Sequence, residues 1–372
     1  MLAISPGRSD FLNFVRWASA GLVLVGHAEM ISQMLIGEAV DRSSELFSYF
    51  SAHSHIAVMF FFVLSGYLIG YAVHRSEGRD SAYGFRGFFL DRWSRIYSVL
   101  IAAILLTAIL DGIGGAFSAN YRQPQHIPQD FFAARMLVNL FSLQGLLGHR
   151  VQLGSNPALW SIGYEFCYYM TFGLIHFRRA LFRRQVSFLA VMLIIALLAG
   201  LHMTAYFAIW MLGYAAFRLH HIRRLTLAGW LAIPLAASIV ATNHFLVYRH
   251  DLRVPEPVSD AIIALLFGAM LLCAYGGRKS LFFGFNAYMA DFSYSIYAFH
   301  MPIIFFWYSL APQKLHSSLT AVQSALLVML LCLVGARILY HASEARRGGY
   351  RIAAARVIER IGRLALFRPR AR

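Results

Sequence analysis

The apolar residues of this chain come in blocks of membrane-spanning length. They fall at about 11–35, 55–73, 96–113, 159–176, 186–201, 204–217, 226–246, 259–275, 293–311 and 319–340. A helix needs roughly 20 mostly apolar residues to cross the hydrocarbon layer. Blocks 186–201 and 204–217 are short, and the residues between them, Gly200–Thr204, predict a tight hairpin. One further apolar stretch, 131–148 (FFAARMLVNLFSLQGLLG), is nearly long enough to span. Counting it as a span would move the arginine-rich segment 177–185 to the opposite side of the membrane.

Composition agrees with the blocks. Of 372 residues, 59% are hydrophobic and only 13% are charged, against about 25% charged in a soluble domain. A soluble fold could not cover that much apolar surface, so soluble enzymes and disordered chains are excluded. The net charge of +16 would suit nucleic acid if it were clustered on a soluble face. Instead 26 of the 33 Lys and Arg fall in segments that alternate to one side, and only Arg42, Arg122, Arg135, Arg150, Arg249, Arg253 and Lys314 fall on the other. That asymmetry sets orientation by the positive-inside rule. It places 131–148 outside, as an interfacial or half-buried helix. The expectation is an all-α polytopic membrane protein of about ten transmembrane helices with both termini cytoplasmic. Residues 1–340 form the membrane domain and 341–372 a basic cytoplasmic tail. The tail carries RIAAARVIERIGRLALF, read as a surface helix on anionic lipid. No nucleic-acid partner and no cleavable signal peptide are expected.

Ionisable residues inside such blocks are expensive and mark function by default. Arg16 and His27 share the first block. Eleven residues at 100° each end about 20° past three turns, so both side chains lie on one face about 16 Å apart. Arg16 is expected near the cytoplasmic end and His27 two-thirds of the way across. Glu165 lies about one and a half turns below Trp160 and Ser161 in the fourth block. Its candidate partners are His27 or an arginine. Tyr294, Tyr297 and His300 follow at i, i+3, i+6 in the ninth, before Pro302. Arg92 and Arg95, with Arg86 nearby, form a cluster suited to phosphate. Ser65-Gly66 allows close helix approach, and Ser65 lacks a local base in sequence. His53 and His55 have metal-like spacing without an evident companion ligand, and Cys167, Cys273 and Cys332 lie in apolar runs. No metal site is expected.

Taken together these residues resemble the membrane-bound acyltransferase-3 family. The resemblance covers roughly 8–340. It rests on Arg16-x10-His27, the FFF-VLSGYLI run at 60–69, Arg92-x-x-Arg95 after 87–90, and LWSIGYEF (159–166) with SYSIYAFHMP (293–302). Glu165 is followed by Phe166 where many relatives have a second acid. That departure resembles the branch without a fused hydrolase-like domain. The resemblance implies transfer of an acyl group, usually acetyl, from cytoplasmic acyl-CoA to hydroxyls of an extracytoplasmic polysaccharide or lipid-linked glycan. The implied location is the bacterial inner membrane, with no permanently bound cofactor. His27 would be the essential histidine, with Glu165 beside it. Arg16, Arg92 and Arg95 would hold acyl-CoA. Trp160, Ser161, Tyr294 and His300 are the candidate acceptor-side residues. Direct transfer with His27 as general base and an acyl-His27 intermediate both fit. The rival class is a proton-coupled transporter or flippase of a glycan precursor.

Overall fold

A computed structural model describes residues 4–36, 49, 53–117, 121, 130–148, 150–248, 254–310 and 321–366. Among them the regular structure is helical, apart from two isolated bridges. The helices are α1 (Pro6–Ile36), α2 (Ser54–Glu77), α3 (Phe85–Phe117), α4 (Phe132–Leu140), α5 (Leu159–His176) and α6 (Gln185–Phe217). They continue with α7 (Ala232–Thr242), α8 (Glu256–Leu272), α9 (Phe283–Asp291), α10 (Ser293–Leu310), α11 (Ala321–Ala342) and α12 (Arg347–Leu366). Arg42, Arg122, Arg249, Arg253 and Lys314 lie outside the described residues.

The short blocks form the expected hairpin. Gly200, at φ 69° and ψ 177°, divides α6 into arms 185–199 and 201–217. That backbone conformation is open to glycine and strained for other residues. Gly200 lies against Gly148 at one end of the bundle. The second arm then returns to place His220 and His221 beside Arg8 and Tyr67 at the other. Counting both arms, ten segments among the described residues run between the two ends of the bundle: α1, α2, α3, α5, the two arms of α6, α7, α8, α10 and α11. Five helical stretches are long and apolar enough by themselves to cross a membrane. α7 is extended at both ends by a 3-10 turn, Gly229–Leu231, and a π turn, Asn243–Tyr248. α1 begins and α11 finishes at the same end, where the arginines around 75–86, 178–184 and 218–224 also lie. This is the basic end; its opposite is the far end.

The stretch 131–148 does not span. α4 has nine residues, about 14 Å of helix, and leaves Phe131, Leu137 and Phe141 exposed at the far end. Behind it the chain turns inward. Ser155 and Asn156 are fully buried. Asn156 Nδ2 donates to Ala298 O at 3.0 Å, and Ser155 Oγ donates to Asp111 Oδ1 at 2.6 Å. These bonds close the far end between α3 and α10.

At the basic end residues 344–366 are held to the bundle. Arg86 pairs with Glu359 at 2.9 Å and Arg351 with Asp91 at 2.7 Å. The buried Glu344 accepts a hydrogen bond from Ser295 Oγ at 2.8 Å. The tail helix therefore packs on α3 through ion pairs as well as offering basic side chains outward.

Two packing features set the core. A Cβ on Gly66 would come within 2.0 Å of Trp210 O, and one on Gly213 within 1.8 Å of Val63 O. The backbones of α2 and the second arm of α6 are thus in contact, as small residues permit in membranes. The second feature is Arg8, which is 4% exposed. Its guanidinium donates to Leu271 O at 2.5 Å and Cys273 O at 2.7 Å, the orphan carbonyls at the end of α8. It also reaches Tyr67 Oη at 3.3 Å and His220 Nε2 at 3.0 Å. Arg8→Ala leaves two buried carbonyls unpaired and is expected to cost about 2 kcal/mol. A thermal-shift assay in detergent checks this; an unchanged Tm would contradict the capping role.

Candidate functional site

A cavity of about 380 Å³ follows one face of α2 from Val58 to Ala72, about 21 Å of helix. Arg16 of α1, Arg92 and Arg95 of α3, and Glu165 and Tyr169 of α5 form its polar wall, and Tyr294 and Tyr297 of α10 continue it. Three guanidiniums meet one carboxylate among these lining groups. Arg16 and Arg95 each lie ten residues into helices that start at the basic end, about 15 Å along the axis.

Glu165 anchors the middle of this wall. Its Oε1 accepts from Ser65 Oγ at 2.8 Å and from Tyr169 Oη at 2.5 Å. Trp210 Nε1 donates to Ser65 Oγ at 3.1 Å, so the contact between α2 and α6 fixes this cluster. Arg92 lies over the Tyr169 ring at 5.7 Å. Two buried polar atoms of the lining residues, Arg92 Nε and Tyr294 Oη, have no hydrogen-bond partner among the described residues. Buried groups of this kind call for a polar partner, whether water or ligand.

Toward the far end, Tyr297 Oη and Ser161 Oγ share a hydrogen bond of 2.6 Å on the cavity wall. His300 packs behind Tyr297, with ring centroids 5.9 Å apart. His27 Nδ1 lies 2.7 Å from His300 Nε2, and the two rings stack at 5.0 Å. Hydrogen bonding assigns the tautomers. His300 Nδ1 faces two carbonyls, Tyr297 O at 2.7 Å and Ile296 O at 3.2 Å. Carbonyls only accept, so Nδ1 carries the proton and His300 Nε2 accepts. His27 Nδ1 then donates, and His27 Nε2 carries no proton. A histidine in this state is a base or a nucleophile.

A family model for an acyltransferase domain matches residues 9–341. The chain belongs to the acyltransferase-3 family. It is also 30% identical over 170 residues to a protein of Shigella phage Sf6 described as an O-acetyl transferase. That match covers 44% of this chain and 45% of the phage protein, so the chain spans about half the length of the curated relative it matches. No solved structure matches the chain.

In this acyltransferase-3 member the structure brings Arg16, Arg92, Arg95, Glu165, Ser161 and Tyr294 to one cavity. His27 and His300 form a pair just beyond its wall. Glu165 does not orient His27; His300 does, because α10 packs on α1 while Glu165 faces the cavity and bonds Ser65. Trp160 is not a cavity residue. Arg150 lies over its face at 4.7 Å, and Tyr164 and Tyr206 stand edge-on at 5.0 Å and 6.2 Å.

Sequence reasoning missed several partners. Ser65 has a carboxylate neighbour after all, Glu165. His55 also gains companions from α8: Nε2 lies 2.7 Å from Asp260 Oδ1 and 4.0 Å from Glu256 Oε1. Tyr206 Oη takes the other Asp260 oxygen at 2.7 Å. The i, i+4 spacing of Glu256 and Asp260 at the start of an apolar block was the available signal. Tyr297 was visible only as part of a helical stripe.

Proposed function

We propose that this protein is an integral membrane O-acyltransferase. It takes an acyl group from acyl-CoA at the basic, cytoplasmic end and delivers it to a carbohydrate hydroxyl at the far, extracytoplasmic end. The name of the phage relative favours acetyl as the group. One observation carries the reading. A long cavity with three guanidiniums and a single carboxylate runs from the basic end to the wall behind which a locked histidine pair sits. Guanidiniums suit the phosphates and oxygens of an anionic donor. The cavity's length suits an extended arm that carries a thioester inward.

Each residue then has a task. Arg16, Arg92 and Arg95 hold the donor. Ser65, Glu165 and Tyr169 line its path with polar groups, and Tyr294 Oη supplies a donor that no described residue uses. At the far end the acceptor hydroxyl meets His27 Nε2, which removes its proton as the oxygen attacks the thioester carbon. The C–S bond breaks, and the thiolate of CoA leaves and takes up a proton. His300 holds the His27 ring and keeps its proton on Nδ1 throughout.

The test is direct. The purified protein in lipid nanodiscs is given acetyl-CoA labelled in the acetyl group and a glycan acceptor, and O-acetyl glycan and free CoA are measured. Label in the glycan, matched mole for mole by CoA, is expected. Movement of glycan across the membrane with intact acetyl-CoA would replace the reading with transport.

A further inference from the structure

Acyl transfer creates a charge that the groups named so far do not meet. When the acceptor oxygen attacks the thioester carbon, an electron pair of the C=O bond moves onto its oxygen and makes it an oxyanion. A hydrogen-bond donor already placed at that oxygen is among the largest contributions an acyl-transfer site makes. The three arginines are engaged by the donor's phosphates in the proposed scheme. The group required stands on the cavity wall beside the histidine pair.

At that end the lining residues Val58, Phe61, Phe62 and Ile162 offer only hydrocarbon, and Ser161 and Tyr297 offer hydroxyls. The backbone sets their order of donation. Ser161 Oγ donates to Ala158 O at 3.3 Å, because a carbonyl only accepts. Tyr297 Oη then donates into the 2.6 Å bond with Ser161 Oγ. A phenolic proton turns about one bond, so it can leave Ser161 without any movement of the ring. An ordinary thioester carbonyl is no better an acceptor than the serine oxygen. An oxyanion is, since hydrogen bonds to a charged acceptor are roughly twice as strong. The exchange therefore favours the transition state over the bound donor, as catalysis requires.

The hydroxyl is also held in place. The Tyr297 ring stands edge-on to Phe61 at 5.5 Å and packs against His300 at 5.9 Å. Its main-chain oxygen accepts the His300 Nδ1 proton at 2.7 Å. One turn of α10 thus fixes both the phenol and the partner of His27. Tyr297 and Ser161 are both buried, which keeps bulk water from competing. Tyr294 lies one turn nearer the basic end, within electrostatic reach of Glu165, Tyr169 and Arg95, on the donor's path. Glu165 follows Ser161 by one turn of α5 and would oppose a negative charge nearby. It is held by Ser65 and Tyr169 and faces three arginines.

We infer that Tyr297 is a catalytic residue whose hydroxyl swings from Ser161 Oγ to the oxyanion on the thioester carbonyl. It swings back as the C=O bond re-forms and the C–S bond breaks. The acceptor's proton goes to His27 Nε2 and from there to the leaving thiolate, while Tyr297 keeps its own proton throughout. The inference rests on the acyltransferase reading and adds one group to it.

The test uses the full chain in nanodiscs with labelled acetyl-CoA, once with the glycan acceptor and once without it. In the second arm water replaces the sugar hydroxyl, and hydrolysis passes through the same oxyanion. Tyr297→Phe is expected to lower kcat by about 10²–10³-fold in both arms, the cost of one oxyanion donor, with KM for acetyl-CoA near that of the parent. A second series keeps the ring and the hydroxyl. Tyrosine analogues fluorinated at one or two ring carbons, inserted at position 297, make the phenol a stronger donor. Their kcat should exceed that of the Phe variant and rise with phenol acidity, at a pH where each phenol is protonated. A packing role predicts no such trend, and this series keeps the test open should the Phe variant fold poorly. Full activity in the Phe variant, a flat fluorotyrosine series, or a loss confined to glycan transfer with hydrolysis intact would overturn the inference. Failure of the acyltransferase reading shows separately, as a parent protein that neither transfers label nor releases CoA.

Discussion

Replacing His27 by Ala is expected to lower acetyl transfer to the glycan by about 10²–10⁴-fold, the range that a positioned general base contributes. Protein yield and Tm should stay near those of the parent, because among the described residues His27 makes one hydrogen bond, to His300, and caps no helix. The partner gives the more discriminating measurement. His300 touches no reacting atom in this scheme; it positions His27 by accepting from Nδ1. His300→Phe keeps the ring volume and removes that acceptor. It should lower kcat while leaving KM for acyl-CoA unchanged. His300→Gln puts an amide oxygen within reach of His27 Nδ1 and should recover part of the loss. A structural role alone predicts no such recovery. Full activity in the His27→Ala protein would remove the histidine from the mechanism.

The framework was legible because the bilayer acts as a strong filter on sequence. The ten apolar blocks correspond to ten helical segments among the described residues, including the hairpin at Gly200. The lopsided arginines favoured an external place for 131–148, and α4 with its inward-turning loop agrees. Spacing within one helix was also readable, as for Arg16 and His27. Partners across helices were not. His27 and His300 are 273 positions apart, and nothing in either block requires them to meet. Ser65 looked baseless because its carboxylate comes from α5, a hundred residues on. Arg8 read as one more anchoring charge until the carbonyls of Leu271 and Cys273 were seen against it.

A guanidinium within a membrane-spanning bundle is costly unless it faces a cavity or a counter-charge. Glu165 stands in the cavity wall, while Glu344, Asp291 and Asp91 act on these arginines from outside it. Among the residues that line the cavity, three arginines face one carboxylate. In the proposed scheme an anionic donor supplies the missing charge inside the cavity.

Arg16→Gln and Arg95→Gln are each expected to raise KM for acetyl-CoA about 10–100-fold, the worth of a hydrogen bond to a charged group. The value of kcat should change little, since neither side chain reaches the reacting carbon in this scheme. Arg95→Lys should recover only part, because an ammonium keeps the charge and loses the planar fork. The phosphate role can be isolated by changing the donor instead of the enzyme. S-acetyl-pantetheine has the same thioester and arm but none of the phosphates. The parent should use it poorly. The two Gln variants should use it as well as the parent does, since the contact they lack is one this donor cannot make. An equal loss with both donors would mean that Arg16 and Arg95 act on the arm or on the fold, and the basic end would lose its claim to the phosphates.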